Sequence, residues 1–241
     1  MAQKDRRTRL WLSILMIASV CIAGNVFYRA VTDARSAARR ALCKGLLCQI
    51  NLALHHYHED NGCLPPAYVS GADGKPMHSW RTLVLKYLDR EMYEAYDFRE
   101  PWNGPNNSRL ARQECARFFQ CPAGSQVGSV YTNYVAIVGP TTVFPEDRSV
   151  SFTEIPDSRN PGVRNTIFIV EVAHSDIQWT EPRDLRFDQM TFSINDTRKP
   201  AMSSCHPGGA YAITRDSSGG TWFPRTTSED SLRNLIMLER E

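Results

Sequence analysis

The sequence contains no Cys-x-x-Cys pair, which removes the commonest linear signature of a structural zinc site. Glycine and proline are not abundant, 14 of each in 241 residues. That is the level of an average globular chain and excludes a collagen-like or low-complexity protein. An excess of charge of one sign is also missing, because the formal net charge is only +2. Four basic residues (Lys4, Arg6, Arg7, Arg9) and one acid (Asp5) precede residue 29, which leaves 24 basic and 25 acidic side chains in the remainder. A near-neutral body lacks the electrostatic footprint of a nucleic-acid binder, so no nucleic-acid partner is expected. With 42% hydrophobic and 22% charged residues, a packed core is within reach and wholesale disorder is not expected. The length suits one domain of ordinary size or two very small ones.

What is present is one long apolar run. From Leu10 to Tyr28 the chain reads LWLSILMIASVCIAGNVFY, with no charged side chain. As a helix these residues span roughly 28 Å at about 1.5 Å each, close to the ~30 Å hydrocarbon core of a bilayer. Trp11 and Tyr28 sit near the two ends, where amphipathic rings prefer the interface. Cys21 and Ala23 make a poor small-x-small cleavage site, and Val20 stands where a lipidated Cys21 needs a small residue. An uncleaved transmembrane helix is therefore expected. Basic residues flank both ends, Arg29, Arg35, Arg39, Arg40 and Lys44 following the run, so charge bias alone does not orient it. Apart from Cys21, six cysteines remain: Cys43, Cys48, Cys63, Cys115, Cys121 and Cys205. An even number fits a disulfide-forming compartment but leaves fifteen pairings open, and buried reduced thiols are the alternative.

The helical pattern continues past the apolar run. Val31, Ala34, Ala38, Leu42, Leu46, Ile50, Ala53 and Tyr57 recur at helical spacing, which predicts one helix with a single apolar stripe. Asn61-Gly62 offers a left-handed C-cap and Pro65-Pro66 forbids continuation. Beyond it, Ser79 to Leu88 reads as a short helix; Thr132–Val138, Thr166–Val172 and Gly209–Thr214 read as strands. The last of these leads through residues 216–220 into Thr221-Trp222-Phe223 as a hairpin, and Glu229 to Leu238 reads as a helix capped by Ser228. The expected architecture is α+β, a long N-terminal helix packed on an antiparallel sheet. Residues 1–9 form a basic tail, 10–28 the membrane helix, and 29–241 a domain made of the helix continuation (29–61) and an α+β body (62–241).

The residues Ala34 to Tyr68 resemble the first helix of a large bacterial family, domain of unknown function 1559, associated with prepilin-like proteins. The resemblance continues through Gly74-Lys75-Pro76-Met77-His78-Ser79-Trp80-Arg81, Phe98-Arg99-Glu100-Pro101-Trp102-Asn103 and Pro105-Asn106-Asn107. Cys121-Pro122, Thr132 to Ala136, Val138-Gly139-Pro140, Asn165-Thr166-Ile167, Glu171, Trp179 to Pro182 and Asp184-Leu185 extend it. It closes on a signature of His, nine residues, Asp-Gly, here His206 and Asp216 with Ser217 in place of glycine. The resemblance implies a pilin-like fold, an anchor in the inner (cytoplasmic) membrane and a domain outside the cytoplasm. At the prepilin-peptidase site Arg7 replaces the cleavage glycine, followed by Thr8, Arg9, Leu10, Trp11 and Leu12, and Arg29 replaces the helix proline. The chain is therefore expected to stay untrimmed and anchored.

Sites of chemistry are few. His55, His56 and His58 beside Glu59 and Asp60 are spaced for a metal, yet imidazoles at a helix C-terminus are also favourable to its dipole; no metal and no cofactor is expected. His206 and Asp216 read as structural, shaping the start of a strand and the following turn. Glu171 and Glu181 lack any sign of a shared cleft, and Ser203 and Ser204 lack a nucleophile-elbow context. Trp80, Trp102, Trp179 and Trp222 are able to stack a sugar or peptide but more often complete a core; the first three are the ligand-binding candidates. The reading is a non-enzymatic, membrane-anchored pilin-like envelope protein, with the membrane, a second copy or other pilin-like proteins as partners. A membrane-tethered module binding an extracellular solute or glycan is the alternative.

Overall fold

The computed structural model describes residues 2–113, 117–124, 129–146, 148–156 and 165–238, with the side chains of 2–10, 13 and 113 outside the description. The architecture is α+β. Helix α1 is Ala2–Asn61, and the compact division of the chain falls within it, between Ala41 and Leu42. The first unit is helix. From Trp11 to Tyr28 its large apolar side chains are exposed, from Ile14 at 45% to Phe27 at 71%. The part of α1 from Ile14 to Asn61 is long and apolar enough to cross a membrane.

In the second unit, α1 ends where Gly62 takes φ +74° and its N–H returns to the His58 carbonyl at 2.7 Å, as a left-handed cap requires. A small antiparallel pair follows, β1 (Tyr68–Ser70) and β2 (Pro76–Ser79). Four short helices come next: α2 (Trp80–Leu83), α3 (Leu85–Leu88), α4 (Arg90–Ala95) and α5 (Pro105–Gln113). The main sheet contains β3 (Tyr134–Val138), β4 (Ile167–Glu171), β5 (Leu185–Arg186), β6 (Gly209–Thr214) and β7 (Gly220–Pro224). Its order is β5-β3-β4-β6-β7. All neighbours are antiparallel except β3 and β5, which are parallel, so the long helix lies on a mainly antiparallel sheet as expected. Helix α6 (Glu229–Ile236) closes the chain, its N-terminus capped by the Ser228 hydroxyl accepting from the Ser231 N–H at 3.3 Å.

The sheet separates two cores, because successive side chains of a strand point to opposite faces. Tyr134, Ala136 and Val138 join the core under α1, while Val135 and Ile137 join the one under α6. Strand β4 breaks this alternation. Ile167 lies with the α6 core, Phe168 and Ile169 both lie with the α1 core, and Val170 returns to the α6 side. A register irregularity between Ile167 and Ile169 supplies the extra residue, as a β-bulge does.

Helix α1 meets the sheet through Cys43, Leu47, Ile50, Ala53 and Leu54, all essentially inaccessible. The face is turned from the expected stripe, since Leu42 is 59% exposed where Cys43 and Leu47 are at 0%. The buried side follows what the sheet offers: a Cβ placed on Gly220 falls 2.7 Å from Leu47 Cδ1, so the missing side chain in β7 admits the leucine. Asn51 donates from Nδ2 to the Ser217 carbonyl at 2.7 Å and fixes the same contact.

A second fixing point is ionic. Arg81 and Asp184 pair at 2.6 Å with side chains 0% and 1% exposed. Asp184 Oδ1 also accepts from the Trp80 indole at 3.2 Å and the Ala136 amide at 2.8 Å. The rest of the guanidinium donates to the carbonyls of Trp179, Glu181 and Arg183. A burial this complete carries a large desolvation cost, offset only while every donor is used.

Two outcomes follow for chemical denaturation of the full chain in detergent. Leu47→Ala is expected to lower stability by about 2–5 kcal/mol and Leu42→Ala by no more than about 0.5 kcal/mol, the reverse of what the expected stripe implies. Asp184→Asn, which leaves a buried guanidinium without its counter-charge, is expected to cost about 3–5 kcal/mol.

Candidate functional site

On the α1 side of the sheet, four reactive side chains from distant positions converge. Cys43 comes from α1, Cys121 from the loop before β3, Glu171 from the end of β4, and His206 from the segment leading into β6. Their donor atoms all lie within 4.8 Å of one another. Exposure is 0% for Cys43 and Glu171, 1% for Cys121 and 3% for His206. His206 Nε2 stands 3.1 Å from Cys43 Sγ and 3.4 Å from Cys121 Sγ, and the two sulfurs are 2.6 Å apart.

Each donor is positioned by the fold around it. The Cys121 amide donates to Asn133 Oδ1 at 2.9 Å, while Asn133 Nδ2 donates to the carbonyls of Val172 and Ala173. The amide of His206 donates to Ser204 Oγ at 3.0 Å, and its ring meets Tyr211 edge-on. Glu171 is the cross-strand partner of Tyr134, so both point to the same face. Its Oε2 accepts from the Tyr211 amide at 3.3 Å. Among the described residues, Glu171 Oε1 and the Tyr134 hydroxyl make no hydrogen bond of normal geometry.

The electrostatics follow from closeness and burial. Hydrogen bonding from Cys121 lowers the Cys43 thiol, whereas the same contact, then burial, raises Cys121. Burial raises the Glu171 carboxyl and pushes the Tyr134 phenol well above its ordinary value.

The residues singled out in the sequence are dispersed. Trp80 and Trp179 are fully enclosed; their indoles donate to Asp184 Oδ1 and, at 3.4 Å, to the Ala111 carbonyl. Both rings pack in the core under α1. Trp102 is half-buried in a loop held by Asn107, whose Nδ2 donates to the carbonyls of Asp97, Glu100 and Pro101. Asp216 lies in the β6–β7 turn, its amide donating to Asn165 Oδ1 at 2.9 Å. His206 does precede the strand start, but its ring faces the cysteines. Of the helix-end histidines, His55 stacks on Phe152, His56 pairs with Glu59, and His58 Nε2 accepts from the Phe152 amide. Glu181 sits in an ion pair with Arg183, away from the core that holds Glu171. Ser203 Oγ accepts from the Ala173 amide and Ser204 Oγ from the His206 amide. Cys115 lies outside the described residues.

Linear spacing concealed the four-residue cluster, since its members stand 78, 50 and 35 positions apart. The usable signal was that each falls in a segment carrying the family resemblance. A separate open cleft of about 630 Å³ lies along α1, lined by Asn51, His55, Arg215, Asp216, Ser217 and Ser218 among others.

Residues 32–171 match the family described as "Protein of unknown function (DUF1559)". That is more than half of the chain, and the chain belongs to this family. Neither the comparison with curated proteins nor that with solved structures found a match.

Burial orders the thiols by access. Brief maleimide treatment of the native protein is expected to label exposed Cys48, while Cys43 and Cys121 react only after denaturation. Peptide mapping by mass spectrometry distinguishes them, and rapid native labelling of Cys121 contradicts the burial.

Proposed function

We propose that this member of the DUF1559 family is a single-pass, membrane-anchored, pilin-like envelope protein that acts by interaction or surface assembly and not by catalysis. The observation that carries the reading is the apolar run in α1. Its side chains from Trp11 to Tyr28, Ile14 and Phe27 among them, are exposed in the isolated chain, and a contiguous surface of that size is stable only in lipid or against a partner. The domain lies outside the cytoplasm in this reading, with the basic residues 4–9 on the inner side.

Assembly is supported by Leu42, an apolar side chain of α1 that is 59% exposed. A non-catalytic role is supported by the enclosure of the reactive cluster, whose members are at most 3% exposed and out of a substrate's reach. One observation favours a second reading, a tethered solute-binding module: the cleft beside α1 presents Arg215, His55 and two serines together. Convergent polar groups in a concavity are what small-ligand sites use.

Topology tests the first reading directly. A phosphatase fused after Glu241 is expected to be active, and a cytoplasm-dependent reporter at the same place inactive. The opposite pair of results places the domain inside and removes the envelope assignment.

A further inference from the structure

We propose that Cys43, Cys121, His206 and Glu171 form a closed, four-ligand site for a divalent thiol-binding cation of the zinc class, which ties α1 to the sheet. The donor set is the first ground. Two thiols, one imidazole and one carboxylate are the ligand types such a cation takes, and four protein donors leave no open position, which is the form of a structural site and not a catalytic one. Convergence is the second. Four donors from four separate segments point at one buried spot, with pairwise separations no greater than 4.8 Å.

The third ground is charge. Glu171 is wholly inaccessible and its Oε1 has no hydrogen-bond partner of normal geometry among the described residues. A carboxyl buried in this way stays a neutral acid unless a positive charge lies beside it. A divalent cation between the carboxylate and the sulfurs supplies one. The competing arrangement is a disulfide between Cys43 and Cys121, each thiol losing one proton and one electron to an external disulfide oxidant. That product is neutral, consumes two of the four donors and leaves Glu171 and His206 with no common partner. Tetrahedral coordination requires the sulfurs to part from 2.6 Å to about 3.8 Å, given Zn–S bonds of about 2.3 Å.

The surroundings suit the role. Second-shell groups hold ligands in place, and here Ser204 fixes the His206 backbone, Asn133 fixes that of Cys121, and the Tyr211 amide holds Glu171 Oε2. The bound cation joins residue 43 to residues 121, 171 and 206, and closing loops of that length stabilises by constraining the unfolded chain.

The full chain is purified in detergent without chelator, under anaerobic conditions, and its metal content measured by mass spectrometry. About one zinc per chain is expected. Cys43→Ser and His206→Gln should each lower occupancy at least tenfold, while Cys48→Ser retains it. X-ray absorption on the unmutated protein needs no variant to fold, and should show two sulfur and two nitrogen or oxygen neighbours. Cobalt(II) exchanged into the site should give a thiolate-to-metal charge-transfer band. Metal-free protein lacking two titratable thiols after denaturation identifies the disulfide and overturns the proposal. So does a zinc shell without sulfur, or full occupancy in both ligand variants. None of these outcomes depends on which side of a membrane the domain lies.

Discussion

The ion pair of Arg81 with Asp184 is the contact on which the body of the domain is assembled. One carboxylate oxygen receives a guanidinium, an indole and the amide of Ala136 in β3. The same arginine collects three carbonyls between Trp179 and Arg183. Helix α2, the central sheet and the segment preceding β5 are thereby held to one point. Carrying two charges into an apolar interior is costly, and such a pair is weak evidence for net stability. Its value here is geometric. The short parallel pairing of β3 with β5, Ile137 against Leu185 and Val138 against Arg186, starts one residue after Asp184, so the carboxylate sets where that strand begins.

Much of the fold was legible because its signals are local. The runs around Ile167 and Gly209 are β-branched or bounded by turn residues, and both are strands. Ser228 followed by Glu229 and Asp230 marks a helix start, and α6 begins there. Asn61-Gly62 ends α1 as its sequence implies. What was not legible depends on partners. Strand β5 has two residues, too few for any periodicity, and exists through its pairing with β3. The two-stranded β1–β2 sheet and α5 are likewise products of tertiary contact. The buried face of α1 was expected to include Leu42 and Leu46 but centres on Cys43 and Leu47. Apolar residues occupy both faces at that point, and the space left at Gly220 admits Leu47.

The same division applies to the cluster of reactive residues. Backbone position alone implies that His206 shapes a strand start; its ring meets Cys43 of α1, 163 residues away along the chain. Glu171, like Glu181, is a carboxylate of one stretch. Strand pairing instead places it opposite Tyr134, and Glu181 turns outward to Arg183. Motif searches depend on short spacings, and a site gathered from a helix, a loop, a strand end and a strand lead has none.

The irregularity in β4 carries a wider meaning. In a strand of uniform pleat, Glu171 faces the same way as Ile167, because they are separated by an even number of residues. Ile167 belongs to the layer beneath α6. The single surplus residue before Ile169 reverses that parity and delivers the carboxylate to the cysteines on the other side. A defect in the pleat, and no property of the glutamate itself, thus decides which half of the domain owns its reactive acid. Strand regularity and site chemistry are in this chain mutually exclusive.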